Sequence, residues 1–159
     1  MKIIHNYRLF FLTMAFLGLV MPACRDVNPS PPVSKQVKEF DNKVLYDWNE
    51  LFLEIERYAA GYRPGPAPRA LAYIGIANYE GCISGMSGYN SIETLYSGLS
   101  IPDIDKDQEY HWPTVVNASY AYMMRRFFSA ASPERQGKID ALEAQYEAKG
   151  KAEAGSESF

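Results

Sequence analysis

The sequence predicts an all-α fold, an antiparallel helical bundle of about four helices that is part of a larger helical domain. Apolar residues recur at helical spacing in four stretches, 41–59, 68–84, 113–130 and 133–149, and prolines stand at the start of three of them. The composition is that of a packed globule, with 47% hydrophobic residues, 12 Tyr and 8 Phe.

Ahead of the helices, Lys2 and Arg8 form a basic region, Leu9 to Val20 is a short apolar run, and Met21-Pro22-Ala23 leads to Cys24. Such a run is too short to span a bilayer and reads as a secretory signal over residues 1–23. A small residue just before a Cys resembles a bacterial lipoprotein signal, in which Cys24 becomes the lipidated first residue of the mature protein. That resemblance implies an exported lipoprotein, periplasmic or at the outer membrane or cell surface, with a membrane as its partner through the anchor. The competing reading is ordinary cleavage near Ala23 with Cys24 left as a free thiol.

Residues 24–38 are rich in Pro, Ser and Val without apolar periodicity, and read as a tether to a helical portion at 39–159. The chain carries 16 basic and 19 acidic residues. Lys2 and Arg8 leave with the signal, so the mature part is acidic, at a net of about −5, and nothing in it invites nucleic acid. With Cys24 acylated, Cys82 has no partner for an internal disulfide and reads as a small core residue.

In the first helix Val44, Leu45, Trp48, Leu51, Phe52, Ile55 and Ala59 form one stripe, with Asp47, Asn49, Glu50, Glu54 and Arg57 off it. The corner Tyr62-Arg63-Pro64-Gly65-Pro66-Ala67-Pro68 cannot be helical throughout, because each Pro lacks an amide donor and pushes its predecessor toward extended geometry. Pro68 suits the first position of the second helix. There, small or apolar residues appear on nearly every side, which predicts a helix enclosed by others. Gly75 and Gly81 would return their helix cost of about 1 kcal/mol through close approach of a neighbour.

Gly85 and Gly88 end that helix, and a long irregular crossing follows. It holds Asp103-Ile104-Asp105-Lys106-Asp107-Gln108-Glu109, which approaches a calcium loop. Such a loop needs Gly where Gln108 stands and Glu where Thr114 stands, so a solvated acidic loop is expected and no metal ligand is assigned.

His111-Trp112-Pro113 opens the third helix, with Val115, Val116, Ser119, Tyr120, Met123, Phe127 and Phe128 as its apolar side. His111 has no identified partner for general-base chemistry, so a structural hydrogen bond is expected. The doublet Arg125-Arg126 reads as a solvated or salt-bridged pair. Ser132 is the expected N-cap of the fourth helix, with Glu134 near its N-terminus and a narrow stripe of Ile139, Leu142 and Tyr146 covering the core from outside. Gly155 to Phe159 resembles a stop followed by a new cap, so a continuation of the natural protein is expected.

Several stretches carry a family resemblance: Asp47-Trp48-Asn49-Glu50, Pro68-Arg69-Ala70-Leu71-Ala72-Tyr73, Asn78-Tyr79-Glu80, Gly85-Met86 with Gly88-Tyr89, and Tyr110-His111-Trp112-Pro113 with Asn117-Ala118. They look like the N-terminal helical region of bacterial vanadium-dependent haloperoxidases, whose superfamily includes the type 2 phosphatidic acid phosphatases. The similarity spans about residues 43–146 and rests on helix-packing positions. For the complete family domain it implies a bundle that cradles vanadate, or phosphate as substrate, using K-x6-R-P, P-S-G-H and S-R-x5-H-x3-D. Lys and Arg there neutralise the oxyanion, one His is the acid/base, and another binds vanadium or attacks phosphorus.

This chain departs from those motifs. Arg63-Pro64 is its one Arg-Pro pair, with Glu56 where Lys should stand, and Met86 follows Ser84-Gly85 where His should stand. Beyond the signal His111 is its one histidine, so no catalytic residue and no cofactor ligand is carried over. Two functional readings remain. One is the non-catalytic N-terminal portion of an exported haloperoxidase-like or acid-phosphatase-like protein, inactive alone, with further helices of the same protein or a second copy as partner. The other is a lipid-anchored helical binding protein that displays Tyr58, Tyr62, Tyr73, Tyr79 and Tyr89 to a glycan or partner. An open apolar groove would favour the first, exposed stacked rings the second.

Overall fold

The computed structural model describes residues 35–105 and 107–154, which fall within one compact unit. Among these residues the regular structure is wholly helical. Four α-helices, α1 (Lys43–Glu56), α2 (Pro66–Cys82), α3 (Trp112–Phe127) and α4 (Pro133–Ala154), are joined by a corner, a long crossing and a short turn. Single helical turns lie at Val37–Glu39, Ile83–Gly85 and Glu93–Leu95.

Side-chain pairs fix the directions. Asp47 faces Tyr146 while Glu54 pairs with Lys138, so α1 and α4 run oppositely. Asn117 reaches the Glu143 carbonyl and Arg125 reaches Asp140, which sets α3 against α4. Tyr73 stacks on Phe127 while Gly81 lies beside Val115, which sets α2 against α3. Trp48 stacks on Tyr120 and Phe52 meets Phe128, so α1 and α3 run the same way. The result is an up-down-up-down bundle.

Its core is built by Trp48, Phe52 and Ile55 from α1, Ile74 from α2, Met124 and Phe128 from α3 and its end, and Ile139 from α4. Helix α3 packs on all three others, whereas α1 and α2 scarcely touch. This corrects the expectation that the second helix is the enclosed one. On α2, Leu71 and Tyr73 are 38% and 50% exposed, and a side chain added at Gly75 would meet nothing. Gly81 does have the expected neighbour, Val115 Cγ1, at 3.4 Å from an added Cβ, but the tightest approach comes one element later. A Cβ at Gly85 would lie 2.3 Å from Trp112 Cε2, and no such overlap is tolerated in a packed interior.

The helices start and stop near the expected places. Helix α2 begins at Pro66, not Pro68, and both prolines fit because the first-turn amides have no intrahelical partner. Helix α1 stops at Glu56, ahead of Ala59, and α4 continues past Lys149 to Ala154. At the start of α4 the Ser132 carbonyl accepts the Arg135 and Gln136 amides, while its hydroxyl accepts from the Arg135 guanidinium. Before α1, Val37 and Phe40 pack against the core, and the Trp112 indole donates to the Lys35 carbonyl at 2.6 Å.

Candidate functional site

The two ends of the bundle differ in chemistry. At the end where α3 begins, His111 is held between the segment before α1 and the end of α4. Its Nδ1 lies 2.8 Å from Thr114 Oγ1, its ring meets Phe40 edge-on at 5.1 Å, and its side chain is only 10% exposed. Nε2 is 3.3 Å from Glu153 Oε2, yet it has no aligned hydrogen bond. Burial lowers the His111 pKa below its ordinary value, and the Glu153 carboxylate opposes this only in part. A cavity of about 450 Å³ opens here, lined by Lys35, Phe40, Glu109, Tyr110, His111 and Glu153. Through Thr114 the ring is tied to the first turn of α3.

The opposite end, where α1 and α3 finish and α2 and α4 begin, holds every arginine of the described residues: Arg57, Arg63, Arg69, Arg125, Arg126 and Arg135. Arg63 and Glu56 form a two-pronged pair, with Nε donating to Oε2 at 2.8 Å and Nη2 donating to Oε1. The Glu56 side chain is 4% exposed, and the Arg63 hydrogen bonds hold its pKa below the usual carboxylate range. The Nε–Nη2 edge of Arg63 is taken by this buried carboxylate. His111 lies at the other end, so the fold does not bring these two residues together.

Arg125-Arg126 is split by its helix. Arg125 donates to Asp140 at 2.8 Å and also to Glu143, which raises its pKa. Arg126 instead lies 5.2 Å from the Tyr122 ring centre. The tyrosines divide likewise. Tyr62 donates to the Phe127 carbonyl and Tyr79 to the Asn90 carbonyl at 2.7 Å, while Tyr58 and Tyr89 are 62% and 63% exposed. Cys82 is buried and its thiol is pushed up to about 11 by desolvation, as fits a core residue. In the acidic loop, Asp105 accepts the Asp107 amide at 3.0 Å. Among the described residues no three His, Cys, Asp or Glu side chains are arranged to hold a metal ion. Cys24 lies outside the described residues.

Two buried carboxylates escaped the sequence reading. Besides Glu56, Glu80 is 6% exposed and accepts from Ser91 Oγ at 2.8 Å and from the Ile92 amide at 2.7 Å. Each partner is seven or more residues away, so no local signal marks either residue as internal.

Between α1 and α2 runs an open groove of about 410 Å³, walled by Phe52, Leu53, Ala67, Pro68 and Leu71 with the Glu56–Arg63 pair alongside. Among the described residues no helix is long and apolar enough to cross a membrane. The class defined by this geometry is a small all-α bundle with polarised ends and one open apolar face. No family model, curated protein or solved structure matches the chain.

Proposed function

We propose that this chain is the non-catalytic helical portion of an exported, lipid-anchored haloperoxidase-like or acid-phosphatase-like protein, whose further helices dock along the α1–α2 groove. The observation that carries the reading is the groove itself. Leu53 and Leu71 stand on its two walls, 52% and 38% exposed, although their helices are neighbours in sequence. Covering them with another helix would stabilise the assembly by about 1 kcal/mol for each leucine, since each is only partly exposed. The resemblance over residues 43–146 supplies the occupant, because the complete family domain is a larger bundle. In the reading as a binding protein, exposed Tyr58 and Tyr89 would serve as contact residues.

The full chain is therefore expected to be inactive in bromide oxidation with vanadate and peroxide, and in hydrolysis of p-nitrophenyl phosphate. Turnover in the wild type that disappears in His111→Ala would overturn the non-catalytic reading. The anchor is tested separately in cells. Cys24→Ser should move the protein from the membrane fraction to the soluble one and abolish fatty-acid labelling, and unchanged fractionation would reject lipidation.

A further inference from the structure

At the arginine end a second cavity, of about 370 Å³, lies between the end of α1 and the turn from α3 to α4. It is a fair size for a small organic molecule. Its walls include Ile55, Ala59, Tyr62, Phe127, Phe128 and Ala131, with the Tyr62 and Phe128 rings 4.7 Å apart. The Tyr62 hydroxyl is satisfied by the Phe127 carbonyl, and the ring faces of this wall are apolar.

Arg135 and Tyr58 also line the cavity, with the guanidinium carbon 4.6 Å from the Tyr58 ring centre. Arg135 differs from Arg63 and Arg125 in its partners. Each of those is held by carboxylates, whereas the Arg135 side chain, among the described residues, has one hydrogen bond, to the neutral Ser132 hydroxyl at 3.2 Å, and no ion pair. The two carboxylates that bracket this end of α4, Glu54 and Glu134, both go to Lys138. A planar guanidinium thus stands at an aromatic cavity with donors to spare.

We propose that this cavity binds a small organic carboxylate with an aromatic or branched apolar body, the body packed on Tyr62 and Phe128 and the carboxylate paired with Arg135. A guanidinium pairs with a carboxylate through parallel hydrogen bonds, and stacking on Tyr58 leaves its edge free to do so. The site is separate from the α1–α2 groove and stands or falls independently of the proposed function.

Phenylacetate titrated into the full chain, followed by amide chemical shifts, tests it. Saturable shifts are expected at Ala59, Ala130 and Ala131. Arg135→Gln should weaken binding by about tenfold, as should replacing phenylacetate by neutral phenylethanol, because each removes the charge-assisted pair. Ala59→Leu, which fills the cavity, should abolish binding while the thermal midpoint shows a folded protein. Inorganic phosphate should shift none of these amides. The proposal is overturned if phenylacetate does not saturate, if Arg135→Gln binds it as tightly as the wild type, or if phosphate alone gives the same shifts.

Discussion

Asn117 stands where three helices meet, and its side chain serves all of them. Its oxygen accepts from the Trp48 indole at 2.9 Å and its nitrogen donates to the Glu143 carbonyl at 3.0 Å. At 2% exposure, such a group is tolerable only because both ends are paired. His111 is less fully satisfied. Its folded-state pKa is lowered by burial, so in acid the unfolded state takes up the proton first. The corresponding stability is complete above the ordinary value of 6.5 and is lost as pH falls below it. The facing groups are Glu153 on α4, which raises the pKa, and Lys149 on α4 and Lys35 ahead of α1, which lower it; burial is the largest cause and sets the net lowering. Urea unfolding at about pH 7.5 and about pH 5.5 should show the wild type weakened in acid, and His111→Gln should flatten that difference. An unchanged slope in the variant would remove His111 as its source.

At the level of elements, four helices could be read from the chain because local signals specify them. Apolar spacing marked α1 and α3, and Pro66 and Pro133 start α2 and α4. Which helix lies at the centre was not local information. Ala70, Ala72, Gly75 and Ala77 suggested enclosure of α2, but small residues only permit neighbours and do not supply them. Helix α3 is central because Trp112, Val116, Tyr120 and Met124 are all buried in the core, with Tyr120 stacked on Trp48 of α1. The candidate site was less legible for the same reason. Tyr58, Arg135 and Phe128 come from three separate segments, and no spacing in the chain foretells their meeting. Since α2 is joined to the bundle through α3 and scarcely to α1, it should open first. Native-state hydrogen exchange is expected to give α2 amides a lower opening free energy than those of α1, α3 and α4. Equal protection across all four helices would show that the open groove does not weaken this attachment.

For the whole molecule, the separation of charge types is the feature that individual motifs hide. Arginines gather at one end with Tyr58, Tyr62 and Phe128, and with Lys138, while Lys35, Lys38, Lys43, Lys149 and Lys151 lie toward the other with most of the carboxylates. Arginine holds planar and aromatic partners better than lysine does, so the two ends are suited to different contacts despite similar numbers of cations. The clasp between Trp112 and the Lys35 carbonyl lies at the lysine end. It also fixes how tension would enter the fold. A pull on the chain ahead of Lys35 would first load that hydrogen bond, the Ser87 amide bonded to Gln36 at 3.0 Å, and the seats of Val37 and Phe40 on the core. The mechanical entry point is therefore a set of side-chain latches at the edge of the bundle. Their joint release would lengthen the lead into α1 ahead of any loss of the pairing among Trp48, Phe52 and Met124.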